Sequence, residues 1–316
     1  VTLAGGVPTT MGALAATIPE SRPPTLEKII TGGAALPLSI EATFKTKLGI
    51  APYIIYGMTE TAAFLTIKSP EDDLPLGWCG APSGDLDIRI VANPQDIENT
   101  CVPIGMNGHV VARGKVISPG YTDETYNTGA FTEDGWFITG DLGMMDEGGN
   151  LLLTGRAKDL IIRGGHNIDP AVIENAALKH PDIEAAAAVG APDAYAGELP
   201  VLYVQMRSGA AELNADALLE ILRAEIEKPA MPKWIECVEA LPVTAVGKVY
   251  KPTLVAKAAS RALGALLKAA HIDPATVTVK DKNGIPAVIF VADSNSHSTI
   301  KKLMDPLLLA YSINTP

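Results

Sequence analysis

The sequence predicts a multidomain protein of α/β and α+β class, and three observations carry that reading. Its 316 residues, 47% hydrophobic and 19% charged, supply material for two or three cores rather than one. Near the start, apolar runs of strand length alternate with an amphipathic helical stretch, the pattern of a parallel sheet. From about Trp78 to Leu153 short β runs with turn punctuation replace it, and beyond Arg156 helices and strands mix again.

The chain opens at Val1 inside an apolar run, Val1 to Val7, that reads as a strand with no lead-in. Ile29-Ile30-Thr31 is a second strand, running into Gly32-Gly33-Ala34. Ile40, Phe44 and Leu48 then fall on one helical face, and Gly49 stops the helix. Ala51 to Tyr56 is a third strand ending at Gly57, so both glycine sites lie at the carboxyl ends of strands, where parallel sheets gather ligands. In the β-rich stretch, Asp87 to Val91, His109 to Ala112, Trp136 to Thr139 and Leu151 to Thr154 are strands of a distorted barrel, with Gly148-Gly149-Asn150 as a hairpin turn. Asp169-Pro170 starts a helix carrying Ile173, Ala176, Ala177 and His180 on one side. Strands near Glu184 to Val189 and Val201 to Met206 follow, then a helix with Leu218, Leu222 and Ile226 that Pro229 closes. Trp234 to Val238 is a strand, and Leu241 to Lys248 is turn-rich. The last part holds a helix to about Ala270, an Asn283-Gly284 hairpin and a helix using Ile300, Leu303, Met304 and Leu308.

Composition excludes some functions. With 25 Lys and Arg against 36 Asp and Glu the net charge is −11, unsuited to gripping nucleic acid or anionic lipid over a broad surface. Apolar stretches are too short and interrupted for a membrane span. Cys79, Cys101 and Cys237 lack metal-type spacing, their odd number suits a reducing compartment, and no basic-then-apolar leader opens the chain, so a cytoplasmic location is expected.

Four segments carry candidate chemistry. Thr31-Gly32-Gly33-Ala34-Ala35 is either a tight strand-to-helix turn or a place where a bulky ligand approaches bare backbone. Tyr56-Gly57-Met58-Thr59-Glu60-Thr61 sets an aromatic ring, a hydroxyl and a carboxylate just after a strand, suited to a base, a phosphate oxygen and a hard cation such as Mg²⁺; its plainer reading is a strand end with a capping threonine. Gly135 to Asp141 and Gly155-Arg156-Ala157-Lys158-Asp159 bring a short carboxylate and a guanidinium, either a ribose-holding pair or a structural ion pair between loops. Beyond them, Ile161 to Ile168 is a strand breaking at Gly164-Gly165. Pro242 to Lys251 places Lys248 after a glycine on an exposed turn, where it either reaches an active site or is a solvated surface lysine.

In order and spacing these segments resemble the acyl-adenylate-forming superfamily, which includes acyl- and aryl-CoA synthetases, firefly luciferase and the adenylation domains of peptide synthetases. The resemblance covers about Val1 to Lys251 and is weaker over Leu254 to Pro316. It implies the carboxyl-terminal part of a large domain, a parallel α/β sheet with a β-barrel-like subdomain, over residues 1–157. A small mobile α+β domain over 158–253 and an α/β extension over 254–316 would follow.

The resemblance also implies roles. Gly32, Gly33 and Ala34 would border adenine and the acyl group, Tyr56 would stack on adenine, and Gly57 and Met58 would line the same site. Thr59 would touch the α-phosphate and Glu60 would bind Mg²⁺. Asp141 and Arg156 would hold the ribose, Lys158 would be the hinge, and Gly164 and Gly165 would flank the pantetheine arm of coenzyme A. Lys248 would be the catalytic lysine. Arg163 reads as a solvated strand-end charge in preference to a coenzyme A phosphate contact. The implied activity is an ATP-dependent carboxylate–CoA ligase, using ATP, Mg²⁺, coenzyme A and a small carboxylic acid, in fatty acid metabolism. A carrier protein is the alternative acceptor, as in fatty-acyl-AMP ligases; a homo-oligomer is left open.

The departures are specific. The family's Ser/Thr/Gly-rich phosphate loop occurs nowhere in these 316 residues, so the chain is expected to be part of a longer enzyme and inactive by itself. A non-catalytic remnant that binds an adenylate or a partner protein is the competing expectation. Ala171 stands where a glutamate is usual, and Tyr250-Lys251-Pro252 alters the family's basic lead into a helix.

Overall fold

The structure, a computed structural model, describes residues 1–17, 25–34, 36–210, 212–245, 247–273, 277–282, 285–307 and 309–315. The chain divides after Lys158 into two units, Val1–Lys158 and Asp159–Pro316.

In the first unit, β1 (Leu3–Gly6), β2 (Lys28–Gly32) and β3 (Tyr53–Tyr56) run parallel, with Gly6 opposite Thr31 and Gly32 opposite Ile55. Antiparallel β4 (Thr66–Lys68) and β5 (Ala81–Pro82) extend the sheet in the order β1-β2-β3-β4-β5. Two helices cover it: α1 (Pro8–Thr17), which the sequence reading did not anticipate, and α2 (Leu38–Leu48). Met11 and Ala15 from α1 and Phe44 and Leu48 from α2 share a core with Ile29 and Ile54. Gly49 ends α2 in the left-handed region, at φ 63°, its N–H returning to the Lys45 carbonyl. The same buried face of α2 carries Glu41, whose carboxylate meets Lys68 Nζ of β4 at 2.6 Å. Glu41 also accepts from the Gly77 N–H and Lys68 donates to the Pro75 carbonyl, so this pair, nearly free of solvent, ties α2, β4 and the loop before β5 together.

The barrel-like part of the expectation takes the form of a four-stranded antiparallel meander. Its strands are β6 (Asp87–Val91), β7 (Gly108–Arg113), β8 (Phe137–Met145) and β9 (Leu151–Arg156). The turn at Gly148-Gly149-Asn150 is closed by Asp146, whose carboxylate accepts from Asn150 N and Nδ2. Trp136 is wholly buried between the guanidinium groups of Arg89 and Arg113, 4.6 and 4.4 Å from its ring.

The second unit opens with a hairpin of β10 (Ile161–Arg163) and β11 (His166–Ile168), turned by Gly164 and Gly165 at φ 56° and 85°. Helix α3 (Pro170–Ala177) follows, capped by the Asp169 carboxylate on the Ala171 N–H. Long antiparallel strands β12 (Ile183–Asp193) and β13 (Gly197–Met206) come next. Helix α4 (Ala215–Glu225), with Asn214 as its cap, ends at Ile226, before the short turn that contains Pro229. Strand β14 (Ile235–Val238) pairs parallel with β13. Ile173, Ile183, Leu202, Leu218 and Leu222 form the core between helices and sheet.

Helix α5 (Lys251–Ala269) belongs to two cores. Leu254 and Ala258 pack with Val189 and Tyr203, while Leu263 and Leu267 pack with Val288, Phe290, Ile300 and Met304. The domain boundary expected after residue 253 therefore falls inside one continuous helix. The terminal sheet is β15 (Val277–Lys282), β16 (Ile285–Val291) and β17 (Tyr311–Asn314), the first pair antiparallel and the second parallel, with α6 (Ser294–Met304) packed on it. β15 and β16 pair as a hairpin demands, but Asn283 and Gly284 themselves lie outside the described residues, as does Leu308; α6 ends at Met304.

Candidate functional site

Gly32 ends β2 and Tyr56 ends the neighbouring β3, so the Gly32-Gly33-Ala34 segment and the segment from Tyr56 to Glu60 leave the sheet side by side. Gly32 lies against the neighbouring strand, where a Cβ would stand 2.7 Å from the Ile55 carbonyl oxygen. Gly57 is tighter still: a Cβ would sit 2.1 Å from the Ala63 carbonyl oxygen. That carbonyl is there because Ala62 and Ala63 both occupy the left-handed region, at φ 50° and 73°, each at a cost of about 1–2 kcal/mol for an L-residue. Hydrogen bonds hold the loop in place, from Ala63 N to the Met58 carbonyl and from Leu65 N to the Tyr56 carbonyl. The result is a short 3-10 turn, Thr59–Thr61, that presents Thr59 to solvent and leaves Glu60 half-buried. Thr61 faces inward, its hydroxyl accepting from Met58 N.

Asp141 is the hub of the site. It lies on β8, 8% exposed, directly opposite Arg156 on β9. One carboxylate oxygen accepts from Arg156 Nε at 2.8 Å and the other from the Tyr56 hydroxyl at 2.7 Å. Its backbone N–H donates to Thr139 Oγ1, and that hydroxyl donates to the Val110 carbonyl. Burial, reinforced by the neighbouring Asp141 charge, raises the Tyr56 phenol well above its usual range, so it stays a protonated donor. Tyr56 itself is 8% exposed and packs with Leu65, Cys79 and Ile88, which leaves a small part of its ring for a ligand. Burial also pushes the Cys79 thiol up to about 11, so it is an inert core residue.

The sequence reading missed Tyr121. Its hydroxyl donates to Glu60 Oε1 at 2.6 Å, and the Ser118 N–H donates to the Glu60 backbone carbonyl at 2.7 Å. The hydrogen bond to Glu60, more than burial, raises the Tyr121 phenol to about 12. The available signal was the Ser118-Pro119-Gly120-Tyr121 turn, which nothing local connects with Glu60.

The remaining candidates lie elsewhere. Lys158 is exposed on the short turn Ala157–Asp159 and is the last residue of the first unit. In the second unit, Lys248 is exposed at the end of a tight loop in which Val243 bridges Val249 and Thr244 bonds Lys248 through both its N–H and its hydroxyl. Gly164 and Gly165 make the β10–β11 turn, and the Gly164 N–H donates to the Ala196 carbonyl. Arg163 is a correction: it is not a solvated charge, because its guanidinium is partly buried and donates to the Pro229 carbonyl at 2.6 Å. With Arg223, Lys228 and Lys233 it lines an open cleft of about 530 Å³ whose apolar walls are Ile226, Met231 and Pro232.

Among the described residues no group of three or more His, Cys, Asp or Glu is arranged to hold a metal. Glu60 stands as a single carboxylate with Oε1 engaged by Tyr121. Such a donor suits Mg²⁺ brought in on a substrate's phosphates, since that ion keeps waters and phosphate oxygens and needs only one or two protein carboxylates.

Comparison with known proteins gives the family. Residues 1–122 match the AMP-binding enzyme family and residues 172–248 the AMP-binding enzyme C-terminal domain. The marinolic acid–CoA ligase of Pseudoalteromonas sp. (strain SANK 73390) is 43% identical over 225 residues, covering 70% of this chain and 34% of that protein. The feruloyl-CoA synthase of Amycolatopsis sp. is 35% identical, covering 79% of this chain and 50% of that protein. Among solved structures, ATP-bound MatB from Rhodopseudomonas palustris superimposes with a TM-score of 0.73 at 31% identity, over 81% of this chain and 50% of that one. The o-succinylbenzoate CoA synthetase of Bacillus subtilis, in complex with its acyl-adenylate intermediate, gives 0.71 at 29% identity, over 80% and 51%. The chain thus spans between about a third and a half of the length of these relatives. The two family matches, over residues 1–122 and 172–248, and CoA ligase relatives 43% and 35% identical over most of the chain show that this chain belongs to the acyl-adenylate-forming superfamily.

Proposed function

We propose that the chain supplies the adenylate-binding half and the mobile half of an AMP-forming carboxylate–CoA ligase. The observation that carries this reading is Asp141, buried and oriented at once by Tyr56 and Arg156. A strand carboxylate held this way, beside the Tyr56 ring, accepts the two hydroxyls of a ribose, with that ring and the Gly32-Gly33-Ala34 turn beside the adenine. Gly57 and Met58 continue that wall, and Thr59, exposed on its turn, donates to an α-phosphate oxygen.

The chemistry joins two anions, an acid carboxylate and the α-phosphate of ATP, so positive charge is needed where they meet. Lys248 on its exposed loop supplies it, and one group of this kind is commonly worth roughly 3–4 kcal/mol in the transition state. Mg²⁺ bound at Glu60 would neutralise phosphate charge. Attack expels pyrophosphate and gives an acyl-AMP; a thiol then displaces AMP and leaves a thioester. Lys158, exposed at the unit boundary, is the natural hinge between the two steps. In the second step the Gly164-Gly165 turn borders the thiol arm. The cleft of Arg163, Arg223, Lys228 and Lys233 has the charge for the phosphates of coenzyme A, which favours that acceptor over a carrier protein. The acid is a small carboxylic acid. The same reading extends to a cytoplasmic setting and a role in fatty acid metabolism.

The test is isothermal titration of AMP onto the chain, followed by carboxylate-dependent ATP–pyrophosphate exchange. AMP binds, and Asp141→Ala weakens it at least about tenfold, the loss of one or more charged hydrogen bonds. The chain by itself gives no exchange above a Lys248→Ala control. Undiminished AMP binding by Asp141→Ala would sink the site assignment, and clear exchange would overturn the claim of inactivity.

A further inference from the structure

Glu60 is held from two directions by one loop. Ser118 N donates to its backbone carbonyl at 2.7 Å, and Tyr121 Oη donates to its carboxylate Oε1 at 2.6 Å. A hydroxyl–carboxylate bond of that length is charge-assisted and directional. The loop is itself well braced. Tyr121 N donates to Asn127 Oδ1 at 2.7 Å, and Gly120 N donates to Ser118 Oγ at 3.3 Å. The Tyr121 ring meets Phe131 edge-on at 5.6 Å and Tyr126 at 6.3 Å, and Phe131 lies 5.0 Å from Phe137 on β8. The phenol is thus fixed by the sheet, while Glu60 sits on a turn followed by the strained pair Ala62–Ala63. Left alone, a half-exposed glutamate samples many rotamers; bonded to Tyr121 it keeps one, with Oε2 free of any protein hydrogen bond among the described residues.

We propose that Tyr121 is a positioning residue for Glu60, holding its carboxylate by Oε1 so that Oε2 is presented to the divalent cation carried on the phosphates of a bound nucleotide. The proposal rests on the reading of Glu60 as the carboxylate that meets the metal. Fixing the rotamer beforehand removes an entropy cost that metal binding would otherwise meet. Tyr121 does not touch the substrate in this scheme.

The measurement is isothermal titration of ATP onto the whole chain, with excess Mg²⁺ and again with EDTA, for the unsubstituted chain, Tyr121→Phe and Glu60→Gln. The unsubstituted chain binds ATP more tightly with Mg²⁺ than without. Glu60→Gln loses that gain. Tyr121→Phe, which keeps the ring packing, holds its metal-free affinity within about twofold and loses about threefold to tenfold of the Mg²⁺-dependent gain, as expected for a rotamer no longer fixed. An undiminished gain in Tyr121→Phe reduces Tyr121 to a prop for the loop and overturns the proposal, while the reading of Glu60 stands. No gain in the unsubstituted chain removes both. Should Tyr121→Phe fail to fold by circular dichroism, Asn127→Ala, which frees the Tyr121 backbone and keeps the phenol, decides the matter: a smaller loss of the same gain supports the proposal, and an unchanged gain refutes it.

Discussion

Substituting Gly57 by alanine would place a methyl carbon where the Ala63 carbonyl already stands, at 2.1 Å, and backbone cannot retreat as a flexible side chain can. Gly57→Ala is therefore expected to destabilise the first unit by roughly 1–3 kcal/mol, the usual cost of overpacking, read as a lower urea midpoint. Ala62 and Ala63 belong to the same argument, since their left-handed backbone brings the carbonyl in and shapes the turn that bears Thr59 and Glu60. At this scale the sequence was informative about residue types and poor about partners. Tyr56, Asp141 and Arg156 were singled out because each has chemistry suited to a nucleotide, and the structure adds that Tyr56 and Arg156 both hydrogen-bond to Asp141. Tyr121 was not legible, because its partner is 61 residues away. Arg163 was misread for a similar reason: a carbonyl 66 residues away satisfies its guanidinium, and no charge pattern announces a carbonyl.

Elements with a clear apolar stripe could be read from sequence, and those without one could not. Helix α2 shows Phe44 and Leu48 on one face, and α4 shows Leu218 and Leu222. Helix α1 has apolar and small residues on all sides and no charge, so no period marks it, and β17 is a four-residue strand whose pairing with β16 is non-local. The buried Glu41–Lys68 pair is the junction on which the first sheet's far edge depends. Lys68→Met leaves Glu41 charged and unpaired and is expected to cost about 3–5 kcal/mol, whereas the Glu41→Leu, Lys68→Met double variant costs clearly less in the same denaturation experiment. Helix α3 carries a pH effect. Burial raises its capping Asp169 to about 6 in the fold, against 3.8 unperturbed. Between those values the folded state binds more protons than the unfolded chain, so stability is fullest below the lower value and falls as pH rises through the higher one. Asn caps as well as Asp, so Asp169→Asn keeps the helix and removes the fall, measured as the difference in urea midpoint between about pH 4.5 and about pH 6.5.

At the scale of the whole molecule, the division after Lys158 has a direct test. Lys158 is exposed on a short turn, and each unit has its own apolar cores. Brief trypsin treatment is expected to give early products beginning at Asp159 or ending at Lys158, each retaining its circular dichroism. Early cleavage spread evenly over the chain would count against the division. Family resemblance alone suggested boundaries after residues 157 and 253, whereas the chain divides after Lys158 and residue 253 lies within a continuous helix. The reason is physical: a family match ends where similarity ends, whereas a helix ends where its backbone hydrogen bonds do. Helix α5, 19 residues and so about 28 Å long, is a rod set in two sockets, with Leu254 and Ala258 in one and Leu263 and Leu267 in the other. A gene cut anywhere along it would leave one socket empty and its oily lining open to water. Anyone wishing to graft the terminal sheet onto another enzyme, or to trim it away, must therefore carry the whole rod with one side and refit the other.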